Sequence, residues 1–126
     1  TPFTTRTEFA QAVERTLGHQ VKVYPYGEEK LIEGRIALMG GGASNSSIYE
    51  WLRQQGVNLF LTGMTAPIIP WAARNHAEAQ KHGISLVGGT HYSTEKYAPM
   101  EMVKFFENLG LEAEFLPETP NFEEEF

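Results

Sequence analysis

Three times along this chain a largely apolar run stops at a glycine turn and gives way to a segment with helical spacing. The runs are Ile36-Ala37-Leu38-Met39 before Gly40, Val57 to Leu61 before Thr62-Gly63, and Ile84-Ser85-Leu86-Val87 before Gly88-Gly89. Short runs of this kind, bounded by turn residues, suit strands that are buried on both faces. Helical segments between them place the strands at βαβ spacing. The expected fold class is therefore α/β, a mostly parallel sheet with helices on both faces. At 126 residues the chain is expected to form one domain, 1–126, with a core of its own.

The remaining elements follow from local signals. Thr7 is read as the cap of a first helix carrying Phe9, Ala10, Val13 and Leu17 on one face and stopping at Gly18. Val21 to Tyr24 alternates like a strand, and residues 31–39 form a second strand region kinked at Gly34. Its apolar end has the pattern of a central parallel strand. Ser46 or Ser47 caps a helix with Ile48, Trp51 and Leu52 inward. Pro70 opens a helix that ends at Gly83, and Glu95 to Leu109 is another, carrying Met102, Val103, Phe105, Phe106 and Leu109. Leu111 to Leu116 is read as a last strand, and 117–126 as an acidic tail that is a loop or a docking arm.

Composition closes several routes. There is no cysteine, which excludes disulfides, thiolate metal sites and cysteine nucleophiles. That fits a reducing cytoplasm, the expected location. A net charge of -6 speaks against direct nucleic-acid binding, which needs a basic face. No run approaches the length of a membrane span, and no basic, apolar leader opens the chain.

The chemistry-bearing stretch is Gly88-Gly89-Thr90-His91-Tyr92-Ser93-Thr94-Glu95-Lys96. His91 and Glu95 stand four residues apart just beyond an apolar strand, where α/β proteins receive ligands. On a helical turn both side chains meet on one face. An imidazole nitrogen and a carboxylate oxygen suit Zn, Fe, Mn or Co, although a site needs three or four ligands. A helix cap or a salt bridge is the competing reading of the same two residues. Gly40 to Ser44 could present N–H groups to a phosphate but lacks the lysine of a P-loop. His19, His76 and His82 carry no assigned chemistry, and His19 is expected to be exposed.

The succession of the Gly-rich turn, "GVNLFLTG", "HGISLVGGTHYSTEK" and "LGLEAEFLPETPNF", with "FTTRTEFAQAVERTLG" at the start, resembles the carboxyl-terminal half of the Nif-three-like family. These are dinuclear-metal-centre hexameric proteins, some described as homologues of type-two GTP cyclohydrolase. The resemblance implies a two-domain family fold of which this chain is one half. It implies that His91 and Glu95 are metal ligands of a centre holding two divalent transition metal ions. The family's other ligands, a His-His pair and an Asp, belong to the amino-terminal half and have no counterpart here. An acidic residue often follows the family's Thr-Gly turn, where this chain has Met64. Two functions of different class follow: a metal-dependent hydrolase resembling GTP cyclohydrolase, or a non-enzymatic, ring-forming scaffold that binds protein partners. A homo-oligomer, hexameric in the family, is expected in either case.

Overall fold

The computed structural model describes residues 1–126. Four strands form one sheet in the order β1-β4-β3-β2, with β1 Lys22–Tyr24, β2 Ala37–Met39, β3 Leu59–Thr62 and β4 Ser85–Gly88. β2, β3 and β4 run parallel, and β1 lies antiparallel to β4. The expected α/β class with a mostly parallel sheet is what the chain forms. β3 and β4 are buried along their whole length, as their continuous apolar character requires.

Helices cover both faces. On one, α2 (Ile48–Gln54) and α3 (Pro70–His82) close a core of Tyr49, Leu52, Phe60, Ala79, Ile84 and Leu86. On the other, α1 (Arg6–Leu17) lays Phe9 and Val13 on Leu31, Leu59, Leu61 and Val87. Alternate residues of β3 thus feed opposite cores, Phe60 one and Leu59 and Leu61 the other, as the two-residue strand period dictates.

The cap of α1 lies two residues earlier than the helical pattern suggests. Thr5 accepts from Glu8 N, and the Glu8 carboxylate reaches back to the Thr5 N–H, which makes a capping box. Thr5→Ala is expected to lower stability by about 1 kcal/mol, read from urea unfolding. The Thr4 N–H, with the Thr4 hydroxyl and the Thr5 N–H, holds the Glu8 carboxyl below the usual carboxylate range. Because the folded value is the lower one, this contribution is complete above the ordinary carboxylate pKa. It is lost as pH falls through the folded value.

Other expectations give way to packing. Residues 31–39 do not run as one strand: a single 3-10 turn occupies Ile32–Gly34, with Glu33 at φ 51 and Gly34 at φ 65. The apolar end, β2, lies at the sheet edge rather than its centre, and Leu38 is 68% exposed. In α2 the inward positions belong to Tyr49 and Leu52, while Trp51 turns out to solvent. The helix read as Glu95 to Leu109 starts earlier, as α4 (His91–Glu95) and α5 (Tyr97–Asn108) joined through Lys96 in helical conformation. None of α5 is buried, and Leu109 just beyond it is exposed, so Met102, Phe105 and Leu109 meet no core in this chain. Residues 111–116 form no strand and join none of the four in the sheet. The acidic tail does dock, on this chain itself, through a short helix α6 (Phe122–Glu125). No helix is long and apolar enough to cross a membrane.

Candidate metal centre

The carboxyl ends of β2, β3 and β4 open on the same side of the sheet, and each ends in a turn. The turn after β4 passes through Thr90, a buried residue at φ 66, before entering α4. Its hydroxyl accepts from Ser93 N at 3.3 Å, which caps α4. Thr94, inside α4, donates to Thr90 O at 2.9 Å and accepts from Gly41 N at 3.0 Å. One hydroxyl therefore joins the turn after β2 to the helix that carries the candidate ligands.

On α4, one turn separates His91 from Glu95. His91 Nε2 lies 2.9 Å from Glu95 Oε2, with the side chains 46% and 53% exposed. The structure thus brings the two sequence-predicted residues together with their donor atoms side by side and open to solvent. Gly41, at φ 69, passes so close that any Cβ there would collide with the Glu95 carboxylate and come within 3.0 Å of His91 Nε2. The glycine turn after β2 serves this close approach. With Gly41 N already bonded to Thr94, and Gly41 O accepting from Gly63 N and Met64 N, it is a packed turn rather than a phosphate cradle.

His91 Nδ1 faces Met64 Sδ at 3.4 Å. A ligating histidine usually gives this second nitrogen to a carboxylate or carbonyl, which orients the ring and raises its basicity. A thioether is a weak acceptor, so Met64 fills the orienting position without that strength. No group of three or more His, Cys, Asp or Glu side chains converges anywhere in the chain to hold an ion. The donor set fits two ligands of a transition metal and stops there.

Two contacts around the pair were not legible in the sequence. His19, expected to be exposed, is half-buried: its Nε2 meets Ser93 Oγ at 2.7 Å and its Nδ1 meets Gln20 O at 2.7 Å. Glu125, in the acidic tail, accepts from His91 N through Oε2 at 2.6 Å. Nothing in the local pattern of either residue marks it, because both partners lie more than thirty residues away. His76 is buried between the Tyr26 hydroxyl at 2.7 Å and Thr65 O at 2.6 Å, a structural role. The pair opens into a groove of about 1020 Å³, walled by Tyr92, Lys96, Glu114, Phe115, Glu118 and Asn121 among others.

A small α/β domain with a His–Glu pair beyond a central strand defines the class. The chain belongs to the DUF34/NIF3 (NGG1p interacting factor 3) family, whose model matches residues 2–121. Solved structures share its fold. Protein ybgI, described as of unknown function, is 23% identical with a TM-score of 0.73, covering 94% of this chain and 45% of its own. Reduced HcgD from Methanocaldococcus jannaschii is 21% identical with a TM-score of 0.66, covering 86% and 41%. A Bacillus cereus protein related to NIF3 is 19% identical with a TM-score of 0.63, covering 94% and 32%. The chain thus spans less than half the length of these structures. No characterised protein matches it in sequence.

Proposed function

We propose that this chain supplies half of a dinuclear metal centre, with His91 and Glu95 as ligands, in a family protein that acts as a metal-dependent hydrolase. The observation that carries the reading is the 2.9 Å approach of His91 Nε2 to Glu95 Oε2 on an open face beyond β4. One nitrogen and one oxygen donor match Zn, Fe, Mn or Co in chemistry, and the missing ligands fall to the part of the protein outside these residues. A bound ion of this class supplies Lewis acidity and a water of lowered pKa. The chain's own residues do the rest. Thr90 and Thr94 hold the helical turn, Gly41 leaves room for the carboxylate, and Met64 packs against the imidazole. GTP cyclohydrolase chemistry rests on family resemblance, since no side chain in the groove is specific for guanine.

A second reading, a ring-forming scaffold without turnover, is favoured by one observation. Met102 and Phe105 of α5 and Leu109 just beyond it lie exposed with no core to join, as they would on a surface that another protein covers.

Metal content by plasma mass spectrometry tests the proposed centre. Two ligands alone are expected to hold an ion weakly, so this chain should retain little metal through purification. The longer protein that contains it should retain metal and lose most of it on His91→Ala or Glu95→Ala. Full metal content in the His91→Ala form of the longer protein would overturn the assignment. Metal retained without turnover of any nucleotide, alongside an intact oligomer, would decide for the scaffold.

A further inference from the structure

Ligands of open α/β sheets sit in the crevice beyond the carboxyl ends of the strands. Here that place is taken by the chain's own residues 121–126. Glu125 O accepts from Thr65 N at 2.8 Å and Ala66 N at 3.0 Å, in the turn after β3. Glu125 Oε2 accepts from His91 N at 2.6 Å, in the turn after β4. One residue therefore ties up three main-chain donors from two separate turns. Phe126 O accepts from the Tyr24 hydroxyl, and Phe122 sets its ring edge-on to His19 at 5.0 Å between centroids.

The strap that makes these contacts is weakly anchored. None of residues 121–126 is buried, and Phe122 is 42% exposed. Its four-residue helix relies on the Asn121 side chain, which accepts from Glu124 N at 3.3 Å. Segments with few buried apolar contacts open at a small fraction of the global unfolding free energy. The sheet beneath, buried along β3 and β4, has no reason to open with it.

We propose that residues 121–126 are an autoinhibitory strap that opens locally while the sheet stays folded. Opening frees the N–H group of His91, those of Thr65 and Ala66 just after the Met64 that packs on His91, and the Tyr24 hydroxyl on β1. Every freed group is a hydrogen-bond donor, so the competing ligand brings acceptor oxygens, those of a carboxylate or a phosphate, to where the Glu125 oxygens lie. The proposal holds whether or not a metal occupies the neighbouring pair.

Amide hydrogen exchange on the full chain tests it, followed residue by residue by NMR with and without Phe122→Ala. This substitution touches neither His91 nor Glu95, and the exposed position leaves folding intact. In the unsubstituted chain, Thr65, Ala66 and His91 should exchange together and well before the β3–β4 ladder. Losing the aromatic contact should speed these three amides by about tenfold and leave the ladder unchanged. Inorganic phosphate, the probe for the freed donors, should shift the same three signals at about tenfold lower concentration in Phe122→Ala, as a larger open fraction requires. Exchange of the three amides only together with the ladder would overturn the proposal. So would an equal phosphate response in both proteins, an absent one included.

Discussion

Phe60→Ala is expected to cost about 3–5 kcal/mol, measured as a fall in the urea midpoint at unchanged m-value. Phe60 is 1% exposed on β3, which has a parallel neighbour on each side. Its ring meets Tyr49 edge-on at 5.8 Å, and both belong to the core closed by α2 and α3. Truncation removes that contact and leaves a cavity that parallel strands pinned by ladders on either side cannot collapse to fill. Trp51→Ala is the control. It lies on the same helix as Tyr49 but faces solvent, so its effect should stay within about 0.5 kcal/mol. A large loss at Trp51 and a small one at Phe60 would reverse the assignment of the inner face of α2.

Gly63→Ala carries the second large effect, and it falls at the site. A Cβ there would stand 2.5 Å from Gly41 O, 2.8 Å from Thr94 Oγ1 and 2.9 Å from His91 Cα. Two of these are backbone atoms, which cannot swing aside, so the turn after β3 and the start of α4 must part. Forcing one extra carbon into such packing costs about 1–3 kcal/mol. The displacement falls on His91 itself, so any metal held by the proposed centre should be retained less as stability falls. Gly42→Ala is the comparison: its Cβ would meet only the Trp71 ring, at 3.6 Å, an ordinary contact. Equal losses at the two glycines would show that the crowding at Gly63 is not what holds the His91 turn.

Much of this fold is legible in the sequence because the signals are local. The three apolar runs that end in glycine are the three parallel strands, and α3 runs from Pro70 to the Gly83 stop as its termini dictate. The His–Glu spacing likewise places both side chains on one helical face. The failures share a cause: they depend on what lies across space. The pattern of β2 carries the apolar content of a central strand, but whether a strand has two neighbours is decided by the rest of the fold. Trp51 and Tyr49 differ by two positions on one helix, and hydrophobicity alone picks the wrong one to bury. The residues 111–116 have strand character, but the fold does not bring them to the sheet. At the site, the local motif is readable, whereas Glu125, His19 and Met64 reach it through tertiary contacts.

The position of β2 bears on how this chain behaves at concentration. Leu38 and Met39 are exposed at a sheet edge whose outer main-chain groups have no strand beside them, and an apolar groove of about 440 Å³ runs alongside. Proteins normally blunt such an edge with short length, charge or proline; β2 is short, three residues, but carries neither charge nor proline. The exposed Leu38 and Met39 are therefore the place where two copies of this chain can meet edge to edge. A lysine at Leu38 is the change that should keep the isolated domain dispersed, because it puts a like charge on every copy that approaches edge to edge.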